Sequence, residues 1–174
     1  MIVLYIILGI LAAIAIVALF VSRDMKATRE VIINKPLPEV FDFIKQLKNQ
    51  DLYSKWNTMD PNMKKSYKGE DGTVGFVSAW EGNKQVGQGE QEILAIVEGK
   101  SIDSELRFIK PFKSIAKAKM TTEAISDQAT KVSWGFEGKM NYPMNFIKLF
   151  IKIEEGVGND FAFGLSRLKD LLEK

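Results

Sequence analysis

The residues predict an α+β domain: a curved antiparallel sheet of about seven strands wrapped around a long C-terminal helix. Two short helices follow the first strand, and a transmembrane helix precedes the sheet. Three observations carry this. Residues 2–21 hold no charged side chain, alternating runs parted by short turns fill the middle of the chain, and the apolar period turns helical after residue 157. Antiparallel pairing follows from the turns, because a parallel sheet needs long crossovers.

At about 1.5 Å per residue, residues 2–21 span about 30 Å as a helix, the thickness of a bilayer's hydrocarbon core. A cleavable signal peptide would carry basic residues before a shorter apolar run and small residues after it. Here no Lys or Arg precedes the run, and Leu19, Phe20 and Val21 put bulk at its end. Arg23, Lys26, Arg29 and Lys35 follow, so the positive-inside rule places the C-terminal part in the cytoplasm. No GxxxG pair and no intramembrane ionisable residue marks a transport path, and the helix reads as an anchor. The expected division is 1–24, a single-pass anchor with its basic flank, and 25–174, one domain with one core.

Within that domain, residues 28–34 alternate and are rich in β-branched side chains until Pro36 and Pro38 stop them, which makes strand one. Pro38 opens a short helix with Val40, Phe41, Ile44 and Leu47 at helical spacing, since a missing N–H costs nothing in a first turn. A second short helix is expected over 52–56. Strands are predicted at 64–68, 73–81, 84–98, 101–110, 113–125 and 131–140, punctuated by Asp71-Gly72, Gly82-Asn83, Gly99-Lys100, Pro111 and Asp127-Gln128. Val157, Phe161, Leu165, Leu168 and Leu172 then recur at steps of three and four, an amphipathic helix. Gly156 and Gly158 predict a break or hinge at its front, with 143–155 as an earlier helical turn or a mobile flap.

Charge and composition remove several function classes. The 24 Lys and Arg are balanced by 22 Asp and Glu without a basic stripe, so no nucleic-acid partner is expected. The chain has no Cys and no His, which excludes disulfides, thiolate nucleophiles, Cys or His zinc sites and Ser-His-Asp triads. No metal and no cofactor is expected.

The succession of strand, short helices, meander and long helix resembles the helix-grip, START-like superfamily called SRPBCC (Bet v 1-like), and within it the polyketide-cyclase-like proteins. The resemblance runs from about Thr28 to the end of the chain. It rests on Ile32-Ile33-Asn34-Lys35-Pro36-Leu37-Pro38-Glu39-Val40-Phe41-Asp42-Phe43-Ile44, Leu52-Tyr53-Ser54-Lys55-Trp56, Val86-Gly87-Gln88-Gly89-Glu90 and Leu106-Arg107-Phe108-Ile109-Lys110-Pro111-Phe112, then on Thr130-Lys131-Val132-Ser133-Trp134, Gly158-Asn159-Asp160-Phe161 and Gly164-Leu165-Ser166-Arg167-Leu168-Lys169. It implies a cavity for a hydrophobic ligand without implying one reaction, since such proteins include lipid carriers, hormone receptors, chaperone activators and aromatase/cyclases.

Alternation selects the side chains that would line such a cavity. Val74, Phe76, Ser78 and Trp80 share one strand face, Leu106 goes with Phe108, and Val132 with Trp134 and Phe136. The expected ligand-cavity residues are Trp56, Phe76, Ser78, Trp80, Leu106, Phe108, Trp134, Phe136, Met144, Phe146, Phe161 and Leu165, with Trp56, Met144 and Phe146 at the rim. Any one of them alone is ordinary core; as a set they exceed what one helix covers.

Acid or base chemistry would fall to Tyr53, Glu90, Glu92, Glu105, Arg107 or Tyr142. Glu90 and Glu92 share a strand face that reads as solvated, Arg107 points outward if Leu106 and Phe108 point in, and no catalytic residue is assigned. Gly87 and Gly89 lie within a strand, so they suit a bulge or close packing and not a nucleotide loop. The leading expectation is a membrane-anchored domain that buries a hydrophobic small molecule or lipid. The alternatives are a polyketide cyclase/dehydratase-like enzyme and a protein-interaction module.

Overall fold

The computed structural model describes residues 1–174. Helix α1 (Ile2–Phe20) leads after three residues into strand β1 (Asp24–Ile33). Three short helices follow, α2 (Leu37–Lys45), α3 (Gln50–Tyr53) and α4 (Lys55–Met59). Then come β2 (Lys64–Lys68), β3 (Val77–Glu81), β4 (Gln88–Val97), β5 (Ser101–Lys110), β6 (Ser114–Ser126) and β7 (Ala129–Lys139). A 3-10 helix (Met144–Leu149) precedes the closing helix α5 (Ile153–Leu172).

The seven strands form one antiparallel sheet in the order β1-β7-β6-β5-β4-β3-β2. β2 to β7 are a meander, and β1 returns beside β7 with Asp24 opposite Lys139 and Ile33 opposite Thr130. Inside the grip, α5 lays Phe161, Leu165 and Leu168 on the sheet, and α2 adds Val40, Phe41 and Ile44. The stripe read from the sequence is thus the buried face of α5, and the α+β class with a curved sheet around that helix is the observed one.

Four boundaries differ from the sequence reading. β1 begins at Asp24 and not at residue 28, because its first residues alternate charged with small or apolar side chains, which periodicity alone reads as a polar flank. β3 begins at Val77: the carbonyls of Glu70 and Thr73 accept the amides of Thr73 and Phe76, so residues 70–76 are turns. Val74 is consequently 61% exposed and does not share the face of Phe76. Residues 84–87 belong to a turn as well, where Asn83 Oδ1 accepts the amides of Gln85 and Val86. The second short helix is two, parted by the extended backbone of Ser54.

The largest difference concerns the glycines. α5 starts at Ile153 and runs unbroken through Gly156 and Gly158, so there is no hinge. A Cβ at Gly158 would collide with the Arg29 guanidinium, and one at Gly164 would sit 2.9 Å from the Trp134 ring. These two glycines let the helix settle onto the sheet. The helix-propensity cost of about 1 kcal/mol each is offset by burial of the surface they bring together.

The far end of α5 is tied to the end of β1. Glu173 accepts the backbone N–H of Asn34 and the ammonium of Lys169, which together hold its carboxyl below the usual carboxylate range. Such a group adds stability above its unfolded pKa of about 4.3 and loses it as pH falls through the lower folded value. The melting temperature should therefore fall between about pH 5 and pH 3. Glu173→Gln should flatten that fall in a calorimetric pH series; an unchanged slope would show that the tie contributes no linkage.

Candidate functional site

The strand register sorts the inner face of the sheet into rows. Nearest α1 is the row Phe108, Gly89, Trp80; next comes Met25, Gly138, Ala116, Leu106, Gln91, Ser78; then Ala27, Phe136, Ala118, Ser104, Ile93. Small residues interrupt the first two rows: Gly138 lies beside Ala116 on one side of Leu106 and Gln91, and Ser78 on the other, with Gly89 in the row above. Trp80, Leu106, Phe108 and Phe136 on these rows are half-buried, as are Met144 and Phe146 on the 3-10 helix. Trp80 meets Phe108 edge-on at 6.1 Å. Gly89 is required here, since a Cβ would lie 2.6 Å from the Trp80 ring.

Deeper in the grip the packing closes. Trp134 stacks on Phe161 at 4.7 Å, Tyr53 meets Trp134 edge-on at 5.7 Å, and Trp56 meets Phe161 at 5.9 Å. Burial pushes the Tyr53 phenol far above its usual range, and its hydroxyl has only Met120 Sδ as a weak partner at 3.7 Å. Between this cluster, α2 and the sheet lies a void of about 10 Å³, bordered by Ile44, Leu47, Gln50, Gln91, Ser104 and Met120. That is at the lower limit for one water molecule.

The twelve residues selected from the sequence thus divide. Trp134, Phe161 and Leu165 are buried core, with half-buried Trp56 packed against them, and Phe76 is buried just ahead of β3 against the Tyr67 ring. Ser78 is buried on the inner face, Trp80, Leu106, Phe108 and Phe136 are half-buried on the same face, and Met144 and Phe146 are half-buried on the 3-10 helix. The sequence reading missed Ala116 and Ala118, which alternate in β6 with exposed Lys117 and Lys119. A strand with alanine on its inward positions leaves room in front of it, and that alternation is legible without coordinates.

On the outer face, Arg107 gathers the glutamates: Nε meets Glu90 at 2.6 Å, NH2 meets Glu92 at 2.7 Å and NH1 meets Glu105 at 2.8 Å. Glu105, then Glu90 and Glu92, hold the guanidinium firmly charged. The carboxylate pair is therefore a half-buried ion cluster across β4 and β5, with every arm of Arg107 occupied. An open groove of about 390 Å³ runs beside it over Gly135, edged by Thr28, Asp103, Lys117, Lys119 and Glu137. Tyr142, the remaining polar candidate, donates its hydroxyl to the carbonyl of Ala15 in α1 at 2.9 Å.

The elements define a helix-grip fold, that of the SRPBCC or Bet v 1-like proteins. Solved structures share it. Norcoclaurine synthase from Thalictrum flavum, in complex with dopamine and hydroxybenzaldehyde, matches with a TM-score of 0.62 at 10% identity, over 90% of each chain. A Chromobacterium violaceum protein matches with a TM-score of 0.61 at 14% identity, over 86% of this chain and 97% of that one. The Aha1 dimer from Colwellia psychrerythraea matches with a TM-score of 0.58 at 12% identity, over 86% of this chain and 96% of that one. At these identities the likeness is one of fold. No family model and no curated protein sequence matches the chain.

Proposed function

We propose that this protein is a membrane-anchored domain that takes a hydrophobic small molecule or lipid into its grip, acting by burial and not by chemistry. The observation that carries this reading is the set of half-buried apolar side chains on the inner face, Trp80, Leu106, Phe108 and Phe136, interspersed with Gly89, Gly138, Ala116 and Ser78 toward the end of the sheet from which α1 departs. Apolar rings left partly in water gain free energy when a ligand covers them, at about 25 cal/mol per Å² of apolar surface. Tethering supports the same role, since a greasy ligand concentrates in the bilayer and a tethered domain meets it at high effective concentration. Because the void beneath α2 holds only about 10 Å³, a bound ligand lies against the half-buried inner-face residues and not in that void.

Native mass spectrometry of the full chain, extracted in mild detergent, tests this. A defined apolar ligand should co-purify, and be lost on Phe108→Gln, which puts an amide among the apolar side chains of the inner face, and on Ser78→Phe, which adds bulk on the same face. Glu90→Gln and Tyr53→Phe should leave retention nearly unchanged, because neither alters apolar volume beside those side chains. Retention indifferent to Phe108→Gln would overturn the reading. Turnover of a defined substrate, lost about a hundredfold or more in one polar variant while binding persists, would promote the cyclase-like alternative.

α1 is 19 residues long with a mean hydropathy of 3.1, and 6% of it is buried. That suits a single-pass anchor, and Arg23, Lys26 and Arg29 behind it favour a cytoplasmic domain. A reporter fused after Lys174 should read cytoplasmic; an external signal would overturn this orientation.

A further inference from the structure

We propose that the α1 end of the domain is itself seated in the bilayer, through Phe112 in the β5–β6 turn and Leu149, Phe150 and Ile151 ahead of α5. This inference rests on reading α1 as a membrane anchor. It adds a second lipid-binding surface, on the folded domain, and it turns the α1 end of the inner face toward the membrane.

The first support is a fixed geometry. Only three residues separate α1 from β1. Asn145, fully buried, donates from its side-chain nitrogen to the carbonyls of Ala18 and Val21 at 2.7 Å each, and Tyr142 donates to that of Ala15. Ala18 is 2% exposed while its neighbours Val17 and Leu19 are open, so one side of the last turns of α1 packs on the domain. The β5–β6 turn belongs to the same body, since Asn141 donates to the Lys113 carbonyl at 3.0 Å.

The second support is length. All 19 residues of α1 give about 28 Å, already slightly short of a hydrocarbon core of about 30 Å. If the turns clasped by the domain, from Ile14 on, stood outside the lipid, residues 2–13 would have to span it with about 18 Å. The clasped turns therefore lie at or within the membrane boundary, and so do the segments packed against them.

The third support is surface chemistry. Phe112 is 60% exposed and Phe150 78%, with Leu149 and Ile151 each at 57%. No acidic residue occurs in 109–114 or 139–152; Lys110 and Lys113 flank Phe112 without an ion pair, whereas Lys139, Lys148 and Lys152 pair with Asp24, Glu154 and Glu155. Apolar tips beside Lys110 and Lys113, with Tyr142 at headgroup level, match an interface with anionic lipid: the rings enter the acyl boundary and those two ammonium groups stay with the phosphates.

The chain has no cysteine, so single-cysteine variants label cleanly. Full-length Phe112→Cys, Phe150→Cys, Gln128→Cys and Leu8→Cys, each carrying an environment-sensitive fluorophore, would be placed in vesicles of phosphatidylcholine and phosphatidylglycerol. Labels at 112 and 150 should be blue-shifted and quenched by doxyl-labelled lipid, with loss of iodide quenching relative to the label at 128 in the opposite β6–β7 turn. Iodide quenching at 112 and 150 equal to that at 128 would overturn the inference. The label at position 8 then separates the two readings: lipid quenching there leaves the anchor standing alone, and iodide quenching there removes the anchor as well.

Discussion

Trp134→Ala should lower the unfolding free energy by about 3 to 5 kcal/mol, the cost of truncating a buried tryptophan to alanine. The ring is 4% exposed, lies flat on Phe161, and takes edge contacts from Tyr53 and Trp56, so it joins β7 to α5, α3 and α4 at one point. Gly164 sits against the same ring, and its missing side chain keeps helix and indole in contact. Removing the indole leaves a cavity that the glycine cannot fill, and partial collapse would have to draw α5 inward against the rest of its buried stripe. Urea unfolding of the full chain in detergent, followed by circular dichroism, measures the loss. A cost below about 1 kcal/mol would mean that the site relaxes freely and that the aromatic cluster is not the centre of the core.

Leu165→Ala is the second large effect, at about 2 to 5 kcal/mol. Leu165 is 1% exposed and stands between Phe161 and Leu168 on the face of α5 that meets the sheet. Phe163→Ala on the same helix is the matched control: its ring is 42% exposed, touched by the Arg167 guanidinium at 5.8 Å, and its loss should cost under about 0.5 kcal/mol. Equal costs for the two would show that the helix presents a different face to the core.

The two predictions separate what was legible in the sequence from what was not. The stripe of Phe161, Leu165 and Leu168 was readable because a helix on a sheet needs one apolar face and the 3.6-residue period writes it into the chain. The alternating faces of β3, β5 and β7 were readable for the same kind of reason, with a period of two. The glycines were misread: Gly158 looks like a hinge in isolation, and only the arrival of Arg29 from β1, 129 positions earlier, explains it as a place of close approach. Glu90 and Glu92 were correctly placed on the outer face, but their partnership with Arg107 depends on the β4–β5 register, which opposes Glu90 to Arg107 across a bulged pair of strands.

The candidate site shows the same division. Sequence alternation selected Trp80, Leu106, Phe108 and Phe136 as inward-facing, while the rim expected from the sequence was Trp56, Met144 and Phe146, of which Trp56 packs against the core. Alternation could not separate rim from core, because whether an inward aromatic is covered depends on what packs above it: α5 covers Trp134, while the sheet's α1 end leaves Phe108 half-exposed. The sequence by itself determined the α+β class, the order of the meander, the closing helix and the apolar helix at the start, because each is set by local periodicity and turn chemistry. Only the tertiary structure decided that α1 is clasped by Asn145 and Tyr142 and that Tyr53, Trp134 and Phe161 pack on one another in the interior. The clasp joins segments more than 100 residues apart in the chain, and no local pattern encodes a contact whose partner lies elsewhere.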